Sequence, residues 1–186
     1  MPLIWVVLVA LGVLVLWAIL SYNRLVSLRE QVRAAWAQID VLLKRRHDLI
    51  PNLVETVKGY AAHERDTLER VVSARNAAVA ARGDPGQASM AEGALGGALR
   101  QLFALSEAYP DLKANTNFLE LQRELAGTEN QISQQRQQYN GIVAAYNTAM
   151  LSFPNNLIAG PFGFTAQPFF EIQDAAQREA PQVKFT

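Results

Sequence analysis

The chain has two imidazoles, His47 and His63, and no cysteine. Without cysteine there is no thiolate metal site, cysteine nucleophile or disulfide framework, and the redox compartment stays open. A di-metal centre in a helical bundle draws on Glu-x-x-His pairs. Here Lys44 stands three residues before His47, and Tyr60 three before His63. His63 and Glu64 open an HE pair, but the zinc motif needs a second histidine where Thr67 stands. Glu64, His63 and Asp66 are the parts from which a hydrolase could be assembled, the weakest of three functional readings. Glu120 and Glu124 share a helical face, and paired carboxylates can do acid–base work. Beside Arg123 they read instead as solvating charges. No Gly-x-Ser-x-Gly elbow, phosphate loop or dinucleotide fingerprint occurs. These residues predict a non-enzyme with no metal and no cofactor.

The stretch ENQISQQRQQYN, residues 129–140, holds five glutamines and two asparagines against two charges. Amides can pair with another subunit without the desolvation penalty of charge. Gln131, Gln134, Gln135 and Gln138 are therefore the expected oligomer contact, and the alternative is a solvated face. Gln135 falls on a helical seam, where one polar residue can set register.

Basic and acidic side chains balance at 17 each, which argues against a nucleic-acid partner. Hydrophobic residues make up 50% of the chain, too many for a disordered segment. They concentrate in Leu3 to Leu20, 18 positions without a charge. At about 1.5 Å per helical residue that run spans roughly 27 Å, close to the hydrocarbon thickness of a bilayer. The short Met1-Pro2 lead, the length of the run and the lack of a small-x-small cleavage pair favour an uncleaved span over a signal peptide. Trp5 near one end, with Trp17 and Tyr22 near the other, fit an interfacial aromatic belt. Arg24, Arg29 and Arg33 follow the span and none precede it, which predicts an external N-terminus and a cytoplasmic domain at a bacterial inner membrane.

Beyond the span, Leu25, Leu28, Val32, Ala35, Ile39 and Leu42 recur at steps of three and four, the spacing of a bundle seam. Lys44 to His47 place cations at an expected helix end, and Asp48 with Pro51 reads as the next start. That second helix carries Leu53 and Val57 and runs to about Arg82. Gly83-Asp84-Pro85-Gly86 is a turn, and Gly93, Gly96 and Gly97 predict a mobile stretch from Gly83 to Gly97. Leu95, Leu99 and Leu102 form a weaker third helix. Asn117 with Glu120 resembles a capping box opening a fourth that ends before Pro154. Its seam includes Leu125, Thr128, Ile132, Tyr139, Ile142 and Tyr146. Short connections between long helices predict antiparallel neighbours. The fold class is all-α: an N-terminal transmembrane helix (1–21) continues into an antiparallel up-down four-helix bundle (22–153), followed by an irregular tail (154–186). In that tail Phe162, Phe164, Phe169 and Phe170 are expected to cover the base of the bundle or meet lipid head groups.

The runs RRHDLIPNLV, YPDLKANTNF and FPNN, within a likeness covering roughly residues 21–170, resemble the LemA family. The resemblance implies a bacterial single-span membrane protein with a helical-bundle domain and no known enzymatic activity. It also implies relatives encoded beside membrane metalloproteases and one in the magnetosome membrane set. The expected function is a non-enzymatic, membrane-anchored scaffold that assembles with itself or with other membrane proteins. The alternative is an adaptor presenting partners to a membrane protease.

Overall fold

One helix dominates the chain. In the computed structural model, which describes residues 2–171, α1 runs from Pro2 to Lys58 without a break. It is followed by α2 (Arg65–Ala81), α3 (Pro85–Ser106), the single turn α4 (Pro110–Lys113), α5 (Thr116–Leu151) and the short α6 (Asn156–Ala159). No strand occurs among the described residues.

The apolar stretch at the start of α1 is long and apolar enough to cross a membrane, and none of it is buried within the chain. A core helix of a soluble protein would be covered by its neighbours. Burial begins at Ser21, one residue after the apolar run ends, and continues at Leu25, Val32, Ala35 and Ile39. The side-chain pattern thus changes solvent at residue 21 although the backbone does not change conformation.

The helix end expected at His47 is absent. Asp48 caps nothing; its carboxylate takes a 2.6 Å contact from Lys44 one turn earlier, and that ammonium holds its pKa below the usual carboxylate range. Pro51 lies inside the helix. Proline has no N–H to give the carbonyl four residues back, here that of His47. Arg75 of α2 supplies the missing donor, its Nε lying 3.3 Å from that oxygen. An interior proline is tolerated because a neighbouring helix satisfies the group it orphans. The break falls instead at residues 59–64. From Ser21 to Lys58 α1 then extends about 57 Å, against about 54 Å for α5, which removes the length mismatch that an end at His47 would create.

Two further expectations give way. The glycine-rich stretch after Gly83 is helix, not a mobile loop. Asp84 accepts a 2.9 Å bond from the Gln87 amide with proline at the first turn, and the buried face of Ala88, Glu92, Leu95 and Leu99 outweighs the glycine penalty. The last long helix is capped by Asn115 rather than Asn117, through a 2.9 Å bond from the Phe118 amide.

The described residues fold as two compact units: one holds the chain up to Ala37 with Gln137–Phe169, and the other holds Gln38–Arg136 with Phe170 and Glu171. In the second, Ile50, Leu53 and Val57 of α1, Leu68 and Val71 of α2, Leu95, Leu99 and Leu102 of α3, and Phe118 and Leu125 of α5 share one buried cluster. Arg82, just past α2, grips Asp40 of α1 with two bonds of 2.7 and 2.6 Å, and this raises the guanidinium's pKa. The connection after α1 and the one between α3 and α5 are tied where Tyr109 donates to Glu64 at 3.0 Å and Asn115 donates to Tyr60 at 3.0 Å. The bond to Glu64 favours the neutral phenol and pushes the Tyr109 pKa up.

In the first unit α1 and α5 run antiparallel, since Ser21 bonds Asn155 while Trp36 packs 5.7 Å from Tyr139. Val143 is fully buried and Ile142 only half-buried, a one-residue shift from the expected seam. A strict seven-residue repeat drifts against 3.6 residues per turn, so the inward position moves along a long helix. After α6, Gly163 adopts φ 70°. The Gly163 amide bonds the Gly160 carbonyl and the Phe164 amide bonds the Ala159 carbonyl, both at 3.0 Å. This is a left-handed cap that turns Phe164 inward.

Arg75→Ala should lower stability by about 1–3 kcal/mol, the range for an orphaned buried acceptor. In a Pro51→Ala background, where an amide reaches the His47 carbonyl, the same change should lose less. Urea titration of the four solubilised variants measures the coupling; equal losses in both backgrounds would show that Arg75 does not serve that carbonyl.

Candidate functional site

The concentration of buried charge lies in the second unit. The inward positions of α1 continue from Ile39 through Leu43, Arg46, Ile50, Leu53 and Val57, and those of α3 run Ala88, Glu92, Leu95, Leu99. Each seam therefore carries one ionisable residue among apolar ones, an arginine on α1 and a glutamate on α3. The Glu92 side chain is completely buried and that of Arg46 is 6% exposed.

Both carboxylate oxygens of Glu92 are engaged. Oε1 lies 2.6 Å from His47 Nε2, and Oε2 lies 3.2 Å from Arg46 Nη1. The same Arg46 nitrogen reaches Glu129 of α5 at 2.9 Å, and that carboxylate is half exposed. One guanidinium thus joins three helices from the inside of the unit to its surface. A buried carboxylate is tolerated only when paired and hydrogen-bonded, and here an arginine and an imidazole share the task. The other ring nitrogen of His47, Nδ1, is buried without a hydrogen-bond partner.

Beside the network is a cavity of about 470 Å³ lined by Arg46, Glu92, Glu129, Arg100, Arg136 and Phe103, among others. Its charged groups come from α1, α3 and α5. Ser133 also lines it, but among the described residues no hydrogen bond joins that hydroxyl to His47. The arrangement can hold helices in register and present a charged concave surface. Among the described residues no group of three or more histidine or carboxylate side chains is placed to hold a metal.

Sequence reasoning placed Lys44 to His47 at a helix end and so missed this network. A usable signal was present: stepping by three and four from Ile39 lands on Arg46, and stepping back from Leu95 lands on Glu92. The hydrolase parts are not assembled. His63 and Asp66 are exposed, and Glu64 accepts from Tyr109. Glu120 and Glu124 line a shallow surface with Asn52 and Thr56.

The expected contact residues separate by exposure. Gln131, Gln134 and Gln138 are exposed and Gln135 is half-buried. Trp5 is exposed on the apolar run, Trp17 is half-buried and Tyr22 is 38% exposed. Among the tail aromatics Phe164 and Phe170 are buried, whereas Phe162 and Phe169 are exposed. Tyr22 meets Phe162 at 5.1 Å and Phe164 at 5.7 Å, both edge-on, and the Arg29 guanidinium lies over the Phe164 ring at 5.1 Å. The tail then climbs along α5. Thr165 accepts from Tyr146 at 3.0 Å, Gln167 exchanges two 2.9 Å bonds with Asn147, and Pro168 accepts from Tyr139 at 2.9 Å. Burial raises the Tyr146 pKa, partly offset by Arg29. By Pro168 the tail has left Tyr22 for the level of Trp36, so Phe169 sits well away from the end of the apolar run. Residues 172–186 of the expected tail lie outside the described residues.

A family model described as the LemA family matches residues 35–185. Magnetosome protein MamQ of Magnetospirillum gryphiswaldense is 26% identical, over 84% of this chain and 67% of its own length. Magnetosome protein MamQ 2 of Paramagnetospirillum magneticum is similar to the same extent. Protein LemA of Metamycoplasma hominis is 26% identical over 74% of this chain and 63% of its own length.

Glu92→Ala should cost about 3–5 kcal/mol, because it leaves Arg46 charged and under-paired in the interior. Combining Glu92→Leu with Arg46→Met should recover most of that loss, since apolar replacement of a buried pair is often neutral. Chemical denaturation of the detergent-solubilised variants reads both; a double variant as unstable as Glu92→Ala would refute the pairing as the source.

Proposed function

The chain belongs to the LemA family, and from that premise we propose that it is a non-enzymatic, membrane-anchored helical scaffold that assembles with copies of itself. The observation that carries this reading is the continuity of α1. One helix supplies an uncovered apolar rod and the first core helix of the folded domain, with no linker between them. A rigid tether of this kind holds whatever surface the domain presents at a set orientation to the bilayer, and a flexible linker could not. On this reading the four long helices form an antiparallel up-down bundle. The basic residues Arg24, Arg29 and Arg33 directly after the apolar run support a cytoplasmic domain at a bacterial inner membrane.

The proposed contact between copies is the amide face of α5. Gln131, Gln134 and Gln138 are exposed there, and amide side chains can cross-pair without an ion's desolvation penalty. The naming of two relatives as magnetosome proteins supports a role in organising a membrane assembly.

In mild detergent the intact chain should run as a multimer, and Gln131→Lys with Gln138→Lys should shift it toward the monomer by like-charge repulsion. Native mass measurement reads the subunit number. A monomer at every protein concentration would defeat the assembly reading.

A further inference from the structure

A second, non-spanning element in the first unit is suited to a lipid surface. Four large apolar side chains near the end of α5 are exposed: Leu151 at 69%, Phe153 at 80%, Leu157 at 61% and Phe162 at 63%. They occur within a stretch, Gln137 to Phe170, that has no charged residue, in a chain whose charged fraction is 18%. Large apolar groups on an uncharged surface mark a contact with something other than water.

Their height relative to the apolar run identifies the occupant. The Ser21 hydroxyl donates to Asn155 Oδ1, and the Asn155 amide donates to the Ala149 carbonyl at 3.0 Å. The Phe162 ring lies 5.1 Å from Tyr22. Segment 151–162 is thereby pinned to residues 21 and 22, directly after the run that ends at Leu20. The interfacial zone of a bilayer is about 5–8 Å deep on each side of its hydrocarbon core. Side chains that touch residues 21 and 22 cannot avoid that zone if α1 spans.

The segment is also built for partial dehydration. The amides of Leu157, Ile158 and Ala159 are bonded to the carbonyls of Pro154 and Asn155 at 3.0–3.1 Å, so few backbone groups need water. The short helix is two-faced: Ile158 and Ala159 point inward and are buried, while Leu157 points out.

We infer that the uncharged base formed by Leu151, Phe153, Leu157 and Phe162 sits in the bilayer interface beside the end of the span, giving the domain a second, monotopic membrane contact. The inference rests on the reading of α1 as a spanning helix, and the experiment separates the two. The chain has no cysteine, so single cysteines can be introduced in the full chain without background, labelled with bimane and reconstituted into vesicles with nitroxide lipids. Phe153→Cys and Leu157→Cys should give blue-shifted emission quenched by a headgroup-level nitroxide. Val13→Cys should be quenched by a mid-chain nitroxide. Ala34→Cys, exposed on α1 and about 21 Å beyond Leu20, should be quenched by neither. If Phe153→Cys and Leu157→Cys match Ala34→Cys while Val13→Cys is quenched, the seat is refuted and the span stands. If Phe153→Cys and Leu157→Cys are blue-shifted yet unquenched, the surface meets another copy instead, which also refutes it. If Val13→Cys is unquenched too, the span fails and the seat with it.

Discussion

The constraint on which the rest of this structure depends is that one helix must satisfy two solvents. The first third of α1 is apolar on every side, so water cannot solvate it. The remainder exposes polar side chains on one face and buries the other. Because the backbone is helical across the change, no residue can relieve a misfit by bending. The inward stripe must begin in phase directly after Leu20, and it does so at Ser21. A glycine or proline there would have allowed the anchor and the domain to be specified independently.

A continuous helix creates two local problems, and each is solved by a long polar side chain from another element. Pro51 leaves the His47 carbonyl without its donor, and Arg75 provides one. Arg46 falls on the buried stripe, where an arginine is costly, and Glu92 occupies the matching place on α3. The buried pair is weak evidence for net stability, since an apolar pair of equal volume could do as well. What it does is geometric: Arg46 is tied to Glu92 of α3 and to Glu129 of α5, so the three helices are joined at one level. Seams made only of leucine and alanine would slide more readily.

The tail shows how an irregular segment can be ordered without secondary structure of its own. Backbone groups between Thr165 and Pro168 are matched to tyrosine and asparagine side chains on α5, spaced so that positions 139 and 146 share a face. The two tyrosines are buried, and each hydroxyl finds a backbone carbonyl, as a buried phenol requires. Glycine at 163 is needed for the cap that precedes this segment, because the left-handed turn there is strained for any residue with a Cβ.

Much of the architecture was legible in the residues. An uninterrupted apolar run, steps of three and four, and the turn at Gly83 to Pro85 are local patterns, and local patterns encode helix type and the identity of inward positions. Val32, Ile39, Leu53, Leu102 and Ile132 are buried as their spacing requires. Boundaries were not legible where they depended on distant atoms. Whether Pro51 ends a helix is decided by Arg75, and whether three glycines loosen α3 is decided by the core that packs on it. Lys44 to His47 reads equally as the end of one helix or the interior of a longer one, and only Glu92 distinguishes them. The sequence by itself determined the helical periods, the apolar rod and the absence of thiol chemistry, because these depend on residue type and order. Only the tertiary structure decided where α1 ends, which charge is buried and which phenylalanines remain exposed, because each follows from partners tens of residues away.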